Sequence, residues 1–189
     1  AGERVAIEGD TVVVGAPEAD TRAGAAYVFT RTGGVWSERL RLTPATPTAG
    51  DEFGASGLTL ADGVLMITSQ HLNSSTGGVH VFTGGGASWT EHTVLVPGGA
   101  APGDLFGSDI AVDDGTAAIG AAGTGGDTGA VHIFTGGGAS WSHGTVITAA
   151  GGSTGDLFGL RLDLDAATLM VGAPGTGSFT GRVHSFTGS

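Results

Sequence analysis

Three histidines, His80, His132 and His184, recur at a fixed interval, and Tyr27 stands at the same place one interval earlier. Imidazoles gathered in register around an axis are the arrangement that could hold zinc, which takes three or four converging nitrogen, sulfur or oxygen ligands. A position that accepts Tyr as readily as His fits a packed ring with a polar tip better, and strands of separate repeats diverge too far for a tetrahedron. Packing, with no metal, is therefore expected. His92 and His143 follow tryptophans and show no partner in the sequence. A second candidate is Gln70, His71 and Asn73, next to a Thr68-Ser69-Gln70 run that replaces the Gly-Ala-Pro or Gly-Ala-Ala of the other copies. Repeat folds place such variation on one face, commonly the binding face, so these three are the expected ligand contacts; drift in a tolerant loop is the competing reading. Asn73-Ser74-Ser75 also has the form of a glycosylation acceptor.

Covalent chemistry has no comparable signal. There is no cysteine, no Gly-x-Ser-x-Gly elbow and no Ser/His/Asp set that stands out from the repeats. The glycines sit in GGG runs without the Lys-Ser/Thr of a phosphate loop. Asp51, Asp104 and Asp156 are placed to accept hydrogen bonds from loop amides, and Asp113, Asp114, Asp163 and Asp165 read as residues in or beside turns. The expectation is a protein that is not an enzyme.

The elements that position these residues follow from the repeat. TGGGASW occurs at Thr83 to Trp89 and again at Thr135 to Trp141. The same interval of 52 or 53 residues separates Trp36, Trp89 and Trp141, and likewise Phe53-Gly54, Phe106-Gly107 and Phe158-Gly159. A period of that size belongs with propeller blades, each a four-stranded antiparallel sheet. In the third copy, Ser108 to Val112 alternates, Asp114-Gly115 turns, and Thr116 to Ala121 returns. Gly129 to Phe134 and Trp141 to Thr148 complete a blade around a GGGAS turn. No segment keeps a helical period, so the fold class is all-β, in copies of about 1–50, 51–103, 104–155 and 156–189. The first copy has Ala1-Gly2 where the others have Phe-Gly, and the fourth reaches Ser189 without a Trp strand, giving about fifteen strands. A four-bladed ring with an incomplete blade, a segment of a larger ring, and half of a homodimer that completes an eight-bladed ring all remain open.

FGSDIAVDDGTAAIGAAG, FGLRLDLDAATLMVGAPG and GAAYVFTRTGGVW resemble the FG-GAP repeats of integrin α-chain propellers and, more closely, of their bacterial secreted relatives. The resemblance implies a β-propeller in which Phe53, Phe106 and Phe158 pack between blades. In it, Gly15-Ala16-Pro17 and Gly172-Ala173-Pro174 end buried strands. It also raises calcium as a cofactor, because animal members often carry Asp-x-Asp-x-Asp-Gly loops. No such loop is present: 18–24, 70–78, 123–129 and 175–181 hold at most two carboxylates each. No cofactor and no metal are expected.

Composition limits the partners. With 7 basic and 18 acidic residues and a formal charge of -11, the chain has no basic cluster for phosphates, so neither nucleic acid nor an anionic membrane surface is expected. No apolar run is long enough to insert in a bilayer. The start at Ala1, with neither Met nor a basic leader, reads as a processed or excised product. The expected function is a secreted or surface-attached scaffold that offers loops of one propeller face to a protein or glycan. The alternative is an accessory domain of an extracellular hydrolase or lyase.

Overall fold

Alternating apolar and polar residues, punctuated by glycine-rich turns, fold into four antiparallel sheets in chain order, described for residues 2–188 by a computed structural model. The first blade contains β1 (Val5–Glu8), β2 (Thr11–Ala16), β3 (Ala25–Thr32) and β4 (Val35–Leu42). The second contains β5 (Leu58–Ala61), β6 (Val64–Ser69), β7 (Gly78–Gly85) and β8 (Ser88–Leu95). The third contains β9 (Phe106–Asp113), β10 (Thr116–Ala121), β11 (Ala130–Gly137) and β12 (Ser140–Ile147). The fourth has three strands, β13 (Arg161–Asp165), β14 (Thr168–Ala173) and β15 (Arg182–Thr187). Neighbours in each sheet are neighbours in sequence. The architecture is the all-β, propeller-type series of blades expected from the repeat, with fifteen strands among the described residues. Ala1 and Ser189, on which the reading of the end copies falls, lie outside the described residues.

Turn chemistry sets the hairpins. Asp114 and Gly115 both take positive φ, 39° and 70°, which suits a two-residue turn whose twist matches the strands it joins. The GGGAS turn is shorter than its sequence suggests: Gly137 pairs with Ser140, so only Gly138 and Ala139 remain in the loop. The link between the second and third strands departs from the all-strand expectation. Four one-turn segments lie there, α1 (Ala19–Arg22), α2 (Leu72–Ser75), α3 (Thr124–Asp127) and α4 (Thr176–Phe179). Their central residues are left-handed, for example Asp20 at φ 51°, ψ 59° and Asn73 at φ 51°, ψ 57°. They carry no helical periodicity because they are turns, too short and of the wrong hand to show one. None of the described helices is long and apolar enough to cross a membrane.

Apolar clusters fill the three junctions between successive blades. Val13, Val28 and Leu42 meet Phe53, Leu65, Ile67 and Phe82 at the first, and Met66, Val79 and Val81 meet Phe106, Ile119 and Phe134 at the second. Ala118 and Val131 meet Phe158, Leu169 and Val171 at the third. Phe53, Phe106 and Phe158 have no exposed surface, so each contributes about 1.5–3 kcal/mol of apolar burial. Each Phe also forms a parallel bridge to the glycine before the preceding blade's third strand: Gly24 to Phe53, Gly77 to Phe106, Gly129 to Phe158. A Cβ on Gly77 would lie 2.0 Å from the Phe106 carbonyl oxygen, so only glycine permits this approach. Trp89 and Trp141 pack onto the first and second junctions, whereas Trp36 is 40% exposed with the Arg31 guanidinium 5.3 Å from its ring centre.

Candidate functional site

The left-handed turns and the linkers between blades build one face of the molecule. Positive φ at Arg22 and Ser75 accompanies carbonyls that each accept two linker amides. Gly50 and Glu52 donate to Arg22 at 3.1 and 2.9 Å, and Gly103 and Leu105 donate to Ser75 at 3.1 and 3.0 Å. Leu157 donates to the Asp127 carbonyl at 2.8 Å in the same way. Threonine hydroxyls hold the turns closed, Thr76 donating to the Asn73 carbonyl at 2.9 Å and Thr128 to that of Gly125 at 3.0 Å. Asp104 and Asp156 accept the amides of Ala101 and Ser153 at 2.7 and 2.9 Å, the loop-capping role expected of them.

Of the three residues anticipated as ligand contacts, this geometry joins none directly to another. His71 Nδ1 lies 3.0 Å from Ser75 Oγ, and its Nε2 lies 3.4 Å from a Glu52 carboxylate oxygen. Glu52 also accepts from the Arg22 guanidinium, which sits 3.7 Å from Glu18. A polar seam of Glu18, Arg22, Glu52, His71 and Ser75 thus runs across the top of the first and second blades. Gln70 turns away from it and accepts the Ser56 hydroxyl. Asn73 is exposed in the left-handed turn, where a short polar residue is tolerated, and belongs to neither group.

Two arrangements were not visible in the sequence. The first lies around the axis. Arg4, Asp109 and Arg161 occupy one repeat position at the entry to the first strands, with Gly57 the fourth member. Arg4 Nε donates to the Ser56 carbonyl, and Asp109 accepts the Leu162 amide at 3.0 Å. Burial raises the Asp109 pKa above its ordinary value, against the lowering effect of the Leu162 and Ile110 amides and of the Arg161 and Arg4 charges. Aligning the residues just after each Phe-Gly would have found this set.

The second is a buried relay in the second blade. Ser69 Oγ lies 3.0 Å from His80 Nε2, His80 Nδ1 lies 2.7 Å from Glu91 Oε1, and Glu91 Oε2 accepts the Ala45 amide at 2.7 Å. Burial pushes the Glu91 carboxyl up, but the hydrogen bond and charge of His80, with the Ala45 amide, hold it below its ordinary value. Order and distances are those of a nucleophile, base and orienting acid. Ser69 is 0% exposed and His80 3%, however, so no substrate carbonyl reaches the hydroxyl. The relay clasps three strands of one blade to the linker before it. Its sequence signal was Ser69 in place of Ala16, Ala121 and Ala173.

The recurrent histidines pack as rings. His80, His132 and His184 meet Phe53, Phe106 and Phe158 edge to face at 5.1, 5.5 and 5.2 Å. His92 and His143, which had no visible partner, have one: His92 Nε2 lies 2.7 Å from Thr83 Oγ1, and His143 Nε2 lies 3.0 Å from His132 Nδ1. Among the described residues, no three His, Cys, Asp or Glu side chains come together as metal ligands. The model of the FG-GAP repeat matches residues 2–29 and 89–134, segments of the first blade and of the second and third. No curated protein matches the chain.

Proposed function

We propose that this chain of FG-GAP repeats is a non-catalytic, secreted or surface-attached module that binds a protein or glycan through the face made by α1 to α4 and the linkers. The observation that carries the reading is the seam at the first two blades. There the Arg22 side chain is 59% exposed and that of His71 39%, held in place through Glu52 and next to Asn73. Such a set offers fixed donors and acceptors to hydroxyl-rich or peptide ligands without an organised nucleophile. The closed Ser69–His80–Glu91 relay supports the non-catalytic part. Extracellular residence rests on the repeat type, which is typical of extracellular proteins.

A glycan array probed with the chain and with its His71→Ala and Asn73→Ala variants tests this. The expected outcome is a bound glycan class whose signal falls by at least about tenfold in either variant, with thermal melting nearly unchanged, since exposed ion pairs contribute only about 0–1 kcal/mol. Undiminished binding by both variants, or release of reducing ends from an arrayed glycan, would contradict it.

A further inference from the structure

The third blade sets two imidazoles against each other where its third and fourth strands meet. His132 Nδ1 lies 3.0 Å from His143 Nε2. The pairing of β11 with β12 puts them there: His143 stands opposite Phe134, which is two residues from His132 and on the same face, and β12 takes up one extra residue between the two pairs. The same two repeat positions hold His80 and Glu91 in the second blade and Tyr27 and Glu38 in the first. Of the three blades, only the third has a nitrogen where the others have a carboxylate.

That exchange changes what the pair can do. In the second blade the pair is closed, with His80 Nδ1 2.7 Å from Glu91 Oε1 and its Nε2 3.0 Å from the Ser69 hydroxyl. In the third blade the two facing nitrogens share a single proton, and Ala121 stands where Ser69 would engage His132 Nε2. Both rings are free to carry their protons on the far nitrogens and to turn two lone pairs toward one point. Two nitrogens held by a tetrahedral ion at 2.0–2.1 Å stand about 3.3–3.4 Å apart, so the observed separation has to open by only a few tenths of an ångström. His143 is exposed and His132 half-buried, which leaves the other coordination positions open to water. Burial and the charge of His143 hold His132 down at about 4, so near neutral pH no proton has to leave that ring. The Asp104 charge felt by the same ring and the formal charge of -11 both favour a cation.

We propose that His132 Nδ1 and His143 Nε2 form a two-histidine site for a transition-metal dication of the Zn²⁺ or Cu²⁺ type, with water in the remaining positions. The ion ties β11 to β12 at the place where the His80–Glu91 pair ties β7 to β8. Imidazole nitrogen selects these ions over Ca²⁺ and Mg²⁺, which take oxygen ligands. The site lies apart from the seam at the first two blades and does not rest on the ligand face proposed above.

The test titrates zinc chloride into the tag-free chain near neutral pH, followed by calorimetry and by the nitrogen-15 shifts of the imidazoles. One Zn²⁺ per chain is expected, saturating below about 1 mM, with the largest shifts at His132 Nδ1 and His143 Nε2. Cu²⁺ should bind at least about tenfold more tightly than Zn²⁺, and Ca²⁺ should leave both rings unchanged. The His143→Gln variant should lose at least about tenfold in Zn²⁺ affinity, whereas His92→Gln, whose ring meets Thr83, should match the parent. Melting of the metal-free variants separates a lost ligand from a lost fold, and the shifts in the unaltered chain decide the matter if His143→Gln does not fold. Equal Zn²⁺ affinity of a folded His143→Gln variant and the parent, zinc-induced shifts confined to other histidines such as His71, or no saturation by about 1 mM would each overturn the proposal.

Discussion

The outward faces of the first and fourth blades are repeat equivalents of buried surfaces, and they differ. On the first, Val5 and Ile7 are 59% and 63% exposed, beside Val12, Val14, Tyr27 and Phe29, which sit where the second blade buries Leu65, Ile67, His80 and Phe82. On the fourth, Arg161, Asp163, Asp165, Met170, Ser185 and Thr187 face outward, where the third blade has Ala111 and Ile133 in place of Asp163 and Ser185. A stacked repeat needs its neighbour's apolar face, and a terminal repeat needs a polar one. By that measure the outward face of the fourth blade has the character of a cap and that of the first blade the character of a stacking surface.

The most severe way to break this comparison is to place a methyl group where a neighbouring blade stands and where none does. A Cβ on Gly120 would lie 1.9 Å from the Gly159 carbonyl oxygen of the next blade, a backbone atom that cannot swing aside. The equivalent Gly172 faces no further blade among the described residues, and its Cβ would meet Arg161 Cβ at an ordinary 3.5 Å. Chemical denaturation should show Gly120→Ala losing about 3 kcal/mol and Gly172→Ala within about 0.5 kcal/mol of the parent. Equal losses would mean that close blade approach is not what fixes these glycines.

A smaller effect concerns association. Two chains set end to end in an eight-bladed ring would bring Asp163 and Asp165 against Val5 and Ile7, burying carboxylates without partners, which disfavours the pairing. Giving the fourth blade the third blade's residues on this face, with Asp163→Ala and Ser185→Ile, should tighten self-association by at least about tenfold in sedimentation measurements. Adding Ile7→Lys should reverse it. Equally strong association of the unaltered chain would show that the fourth blade's face is no cap.

What the sequence made legible was whatever repeats. Phe53, Phe106 and Phe158, the strand order of each blade and the place of the tryptophans all follow from one interval. The left-handed turns escaped notice because three consecutive residues of positive φ, such as Asn73, Ser74 and Ser75, leave no hydrophobic period. The Gln70, His71 and Asn73 loop was found as an irregularity, but side-chain direction separated its members. The Ser69–His80–Glu91 relay needed the alignment of three strands at once, and the Arg4, Asp109, Arg161 set needed the axis. Neither spacing is local.

The smallest expected effect separates the third blade from the first at the position of the packed ring. His132 is pushed down to about 4, mainly by burial and then by the charge of His143, with Asp104 opposing. An unfolded histidine titrates near about 6.5, so between those values the unfolded chain binds a proton that the folded chain refuses. Stability from this group is therefore complete above about pH 6.5 and is lost as pH falls toward about 4. Glu91, held low, adds loss in the same direction at more acid pH, while Asp109, held high, works against it. The first blade carries Tyr27 at this place. A His132→Tyr variant isolates the histidine: its melting temperature should fall less between pH 7 and pH 4 than the parent's, a difference of about 1 kcal/mol after solvent screening. Parallel melting curves for the two proteins across that interval would remove His132 as a source of acid sensitivity and leave Glu91 as the group to change next.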